Sequence, residues 1–211
     1  AKALTQARQA RLLFRRQSRQ WWRARAELTV VRARTNQGES SRSLLATATA
    51  VADQLVALRA EDALVALLLA GRLATRWEPD SASRLLVAAA RYRRNPSAII
   101  RATGWLARAL DREIAGQTRG VYAACGRGLD ALDAHRLTLG SSELRALATG
   151  HGKELAGLAL RSTLATGDAR RLLAWSERWR STALTQPPVR PPRGVGSVVR
   201  RGSRGRQMRG L

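Results

Sequence analysis

Cys125, His135 and His151 are the residues of this chain whose types could make a thiol nucleophile and an imidazole base. That chemistry needs a thiolate within hydrogen-bond reach of the imidazole, with donors for an oxyanion nearby. The spacing argues otherwise. Cys125 falls in register with Val121, Tyr122, Leu129 and Leu132, an apolar stripe on which a free cysteine behaves as a small buried hydrophobe. His151 falls on the stripe of Leu147 and Leu155, as a satisfied and partly buried histidine would, and His135 stands beside Asp133 and Arg136 near a helix end, facing solvent. One cysteine and two histidines match no zinc spacing. Gly120, Gly126 and Gly128 follow no strand and precede no Lys-Ser or Lys-Thr pair, so they read as close helix packing and not as a phosphate cradle. Glu27, Asp130 and Asp133 fall on charged helix faces, and no carboxylate pair suggests acid–base work. No cofactor and no metal is expected, and the chain reads as a non-enzyme.

Trp21 and Trp22 are the other candidates. Adjacent helical residues point about 100° apart, so one ring packs inward while the other is partly exposed. With Arg15, Arg16, Arg19, Arg23 and Arg25 around them, they could make a cation–π patch or stack bases. The simpler reading makes them core and edge anchors between two helices. Arg15, Arg19, Trp22 and Arg23 are the candidate partner-binding residues.

The elements that position these residues are helical. Ala, Leu and Arg dominate 211 residues, Ile occurs three times and Phe once, a balance that favours helix over sheet. Apolar stripes predict nine helices. The first two lie around Leu4–Phe14 and Trp21–Val31, the third over 41–59 and the fourth over 63–77. Glu78-Pro79 and Asn95-Pro96 each place a capping residue before a proline at the first helical position, opening helices to about Arg94 and about Ala115. The seventh spans about 118–139. Gly140-Ser141 and Gly167-Asp168 are stop-and-cap pairs around one long helix through Leu144, His151 and Leu158, before a last helix through Leu172, Trp175 and Trp179. The body is residues 1–184. Residues 185–211 form a Pro/Arg/Gly-rich tail without acid or hydrophobic period, which reads as disordered or as translated out of frame. The start at Ala1, inside a helix, with Met208 the only methionine, makes the chain read as a fragment.

The net charge is +23, with 38 basic residues against 15 acids. Thirty-six of the 38 are Arg, a bias that points to G+C-rich coding more than to selection for phosphate contacts. No run of about 20 apolar residues could span a bilayer, and no leader is visible, so no membrane partner and a cytoplasmic location are expected.

Helix pairs in series call for a repeat. Aligning the Gly71 segment with the Trp105–Ala109 segment gives a period of 38, with Trp105, Ala109, Val121 and Gly128 near the bulky and small positions of a tetratricopeptide pattern. The fold class expected is all-α, a tetratricopeptide-like α-solenoid of about nine helices, with an irregular helical bundle as the alternative. The stretches LTLGSSELRALATGHGKELAGLALR (137–161), LLAWSERWRSTAL (172–184) and PPVRPP (187–192), with GWLARAL (104–110) and RGLDALDAHR (127–136), resemble the helical region preceding the peptidase module of actinobacterial CHAT domain-containing proteins. The resemblance implies a regulatory arm leading into a caspase-like domain. After PPVRPP the pattern departs into the Arg/Gly tail, so no family catalytic residue carries over. The function expected is a non-catalytic module that takes a protein or peptide ligand. The alternative is a basic nucleic-acid binder using the Arg-rich first helix and tail.

Overall fold

The computed structural model describes residues 2–141, 148 and 150–184. Among them are nine α-helices and no strand: α1 (Lys2–Arg16), α2 (Gln20–Asn36), α3 (Arg42–Ala57), α4 (Ala63–Ala74), α5 (Pro79–Ala90), α6 (Ala98–Ile114), α7 (Thr118–Arg136), α8 (Lys153–Thr166) and α9 (Ala169–Leu184). The tail lies outside the described residues, as does most of the segment after Gly140-Ser141.

Local chemistry sets several boundaries. Ser41 caps α3, its Oγ accepting from the Leu44 amide at 3.1 Å. Gly167 closes α8 in the left-handed conformation at φ +68°, and Asp168 Oδ1 then accepts from the Arg171 amide at 2.9 Å. Pro79 opens α5 at its first turn. Pro96 does not open α6: Asn95 Oδ1 accepts from the Ser97 amide at 2.9 Å, this Asx turn takes up the proline, and the helix starts only at Ala98. Upstream, α5 gives way at Arg91 to a 3-10 segment over Arg91–Arg94.

The long eighth helix of the sequence reading is broken. His151 and Gly152 lie in a turn and a new helix begins at Lys153. A Cβ on Gly152 would lie 3.0 Å from Leu129 and 3.1 Å from Trp179, so those side chains of α7 and α9 would have to give by a few tenths of an ångström to admit a larger residue. The same turn leaves His151 exposed, where helical periodicity had placed it partly buried.

Each helix packs on its chain neighbours, and α4 also touches α6 as α6 touches α8. Alanines and leucines fill the seams: Ala52, Ala63, Ala70, Ala89, Ala107 and Ala109 are wholly buried beside Leu44, Leu55, Leu86, Leu129 and Leu158. Small side chains let helix axes approach, and the leucines supply the apolar area. Trp175 and Trp179 share a face as expected but are only half-buried; Trp175 stacks on Tyr122 of α7 at 6.0 Å.

Ion pairs span the array. Arg72 of α4 donates to Glu154 in the first turn of α8 at 2.6 Å, across 82 residues. That hydrogen bond holds the Glu154 carboxyl below its ordinary 4.5, against the opposing pull of partial burial. A carboxylate whose pKa is lowered on folding stabilises the fold above its unfolded value, and the contribution fades as pH falls through the folded one. Glu154→Gln should therefore flatten the loss of stability below pH 4.5, read from urea midpoints at several pH values. The effect at neutral pH should stay below about 1 kcal/mol, because the pair is half-exposed. An unchanged acid limb would mean the bridge is not formed in solution.

Candidate functional site

α1 and α2 form a hairpin whose turn carries Ser18 at φ +54°. Two concavities lie on different faces of this hairpin. In the first, of about 440 Å³, Ala7, Ala10 and Phe14 of α1 face Trp22, Arg25 and Ala26 of α2. Phe14 stacks on Trp22 at 5.7 Å, Trp22 meets Trp21 edge-on at 4.4 Å, and the Arg25 guanidinium lies 5.2 Å over Trp21. Trp22 is 43 % exposed and Trp21 half-buried, as their 100° separation requires.

The second concavity, about 330 Å³, lies where α1, α2 and α3 meet. Arg11, Leu12 and Arg15 form one side, Val51 and its neighbours on α3 the other, and Arg23 with Glu27 the floor. Arg11 donates to Glu27 at 2.7 Å. Arg15 and Arg23 have no anionic partner among the described residues. The four candidate residues are thus divided. Arg15 and Arg23 share the groove, Trp22 faces the aromatic cavity, and Arg19 is the exposed N-terminal flank of α2 that lines neither. Sequence proximity put them together, and the helical rotation between Trp22 and Arg23 separates them.

Cys125 and His135 do not form a reactive pair. Cys125 is wholly buried, and burial, reinforced by the negative charge of Glu113, pushes its thiol up to about 12. His135 is ten residues on along the same helix, about 15 Å by helical rise. Native Cys125 should therefore react with a water-soluble disulfide at pH 8 at least a hundredfold more slowly than in guanidinium, since the thiolate is the nucleophile (about a thousandth of its usual fraction here). Cys125→Ser should cost about 1–3 kcal/mol by placing a hydroxyl in the core. Rapid native labelling would contradict the burial.

Of the three helical glycines read as packing positions, Gly128 is one: a Cβ there would lie 2.7 Å from Leu155 and 3.2 Å from the Trp105 Cβ. Gly120 abuts the Arg112 side chain at 3.0 Å, while Gly126 faces open space. Arg25 over Trp21 is the cation–π contact the sequence suggests; the other arginine-on-ring contacts are not legible there. Arg42 and Arg76 both lie over Trp77, at 5.6 and 4.9 Å, and Arg93 and Arg127 both over Trp105, at 5.8 and 5.5 Å. Arg171 covers Tyr122 at 4.8 Å. Arg76 is the chain neighbour of Trp77, but the other four pairs are 12 or more residues apart, so only an Arg excess beside isolated aromatics could have hinted at them. Arg178 reaches Asp130 at 2.6 Å and Asp133 at 3.1 Å, and Arg136, though charged, is 5 % exposed and pairs with Asp133. Every one of the nine helices carries arginine, and much of it is held by rings and carboxylates of the fold itself.

No helix among the described residues is long and apolar enough to cross a membrane. No group of His, Cys, Asp and Glu among them could hold a metal ion. Compared with known proteins, the chain matches no protein-family model, no curated protein and no solved structure.

Proposed function

We propose that the chain is a non-catalytic, tetratricopeptide-like module that binds a protein or peptide, serving in a longer protein as the regulatory arm of a CHAT peptidase. The observation that carries the reading is the serial packing, each helix on its chain neighbours with α4, α6 and α8 in contact along one side. An array of this kind grows by adding units and leaves grooves between alternate helices, surfaces suited to a segment of another chain. The helix pairs support it: α4 and α6 start at 63 and 98, and α5 and α7 at 79 and 118, close to the period of 38 found by aligning Gly71 with Ala109. Both of those small residues are buried in the seams. The inert thiol favours a binding role over hydrolysis.

Panning a random-peptide phage library on the purified full chain tests this. A consensus that then binds one-to-one by fluorescence anisotropy is the expected result. Failure to enrich any sequence above bare support would retire the proposal. So would cleavage of a fluorogenic caspase-type peptide by the purified chain.

A further inference from the structure

We infer that the groove between α1 and α3 is a docking site for an acidic peptide segment, with Arg15 and Arg23 as its carboxylate anchors. The inference rests on the interaction-module reading and specifies the partner's chemistry. The lining contains Arg11, Arg15 and Arg23 against Glu27 alone, an excess of two positive charges. Glu27 is already taken by Arg11 at 2.7 Å, which leaves the other two guanidinium groups to an incoming ligand. A planar guanidinium offers paired donors that match a carboxylate in both geometry and charge. The remaining lining is mixed: Leu12, 50 % exposed, with Ala50 and Val51 is apolar, while Thr47 and Gln54 offer polar groups. An aliphatic side chain of the ligand would cover Leu12 while flanking carboxylates meet the arginines. The α3 wall runs from Thr47 to Gln54, about 10 Å by helical rise, so about three extended residues span it.

The same geometry separates this ligand from a nucleic acid. Single strands are held by phosphate contacts alternating with rings on which bases stack. No aromatic residue lines the groove, because Phe14 and Trp22 face the other cavity.

The test uses the full chain and two fluorescein-labelled peptides, one of repeating Glu-Leu-Glu and one of Gln-Leu-Gln. Fluorescence anisotropy should show the Glu peptide binding at least about tenfold more tightly. Arg15→Gln with Arg23→Gln should lose about tenfold of that affinity. Arg32→Gln with Arg119→Gln removes the same charge from exposed positions outside the groove and should change it less than about twofold. Circular dichroism verifies that both double variants keep their helix content. Equal losses in the two variants would overturn the site, since binding would then follow net charge alone. An oligo-dT of equal charge displacing the peptide with equal potency would overturn the ligand class in favour of nucleic acid. Should phage panning yield binders that the Arg15/Arg23 variant retains in full, the groove proposal falls while the interaction module stands.

Discussion

Gly104→Ala should lower the melting temperature by roughly 6–12 °C, while Gly126→Ala, the same change on the next helix, should raise it by a few degrees. A Cβ on Gly104 would lie 2.3 Å from the Arg93 amide nitrogen and 2.7 Å from the Tyr92 carbonyl carbon. Both are backbone atoms of the 3-10 segment, so no rotamer change relieves the clash. α6 would have to lift away from that segment, disturbing the Arg93 guanidinium that lies over Trp105. Overpacking costs about 1–3 kcal/mol and occasionally more; against backbone that cannot turn aside we take about 4 kcal/mol, of which better helix propensity returns about 1 kcal/mol. We expect a net loss of about 3 kcal/mol, and each kcal/mol moves the midpoint by about 2–4 °C at this chain length. Gly126 has nothing within 4 Å of its Cβ position and should show only the propensity gain. Calorimetry of the two variants decides it. Two shifts of the same sign would mean that α6 does not sit on the 3-10 segment as described.

That contrast also marks what the sequence could and could not convey. Helix identity was legible because apolar residues recur at three and four, and the stop at Gly167 coincides with positive φ. Gly104 and Gly126 look alike in sequence. Only the tertiary approach of the Tyr92–Arg93 backbone distinguishes them, a contact that periodicity does not encode. The break at Gly152 was legible only as an alternative: Gly150 and Gly152 read as close packing or as a bend, while the stripe through Leu147, His151 and Leu155 continues through them in sequence. At the candidate site, residue type was the legible part: an Arg-rich hairpin with two tryptophans. Which arginines remain unpaired depends on Glu27 and Asp62, and Asp62 meets Arg25 at 3.3 Å from well outside the hairpin.

Leu86→Ala should cost about 3–4 kcal/mol alone and measurably less in a Gly71→Ala background, making the pair a direct probe of the α4–α5 seam. Leu86 is wholly buried. A Cβ on Gly71 would lie 2.8 Å from its Cγ and 2.9 Å from its Cδ2, so each residue's size is set by the other. Gly71→Ala alone should destabilise, because a Leu with no exposed surface has nowhere to turn. Truncating Leu86 opens a cavity at the very place where the new methyl would stand. In the double variant the methyl fills part of that cavity, and Ala gains about 1 kcal/mol of helix propensity over Gly. A coupling energy of at least about 1 kcal/mol, in the favourable direction, is expected from urea denaturation of the four proteins. Simple additivity would show that α4 and α5 do not meet at Gly71. The serial packing on which the interaction-module reading rests would then lose one of its seams, since α4 reaches α6 along the same side of the array.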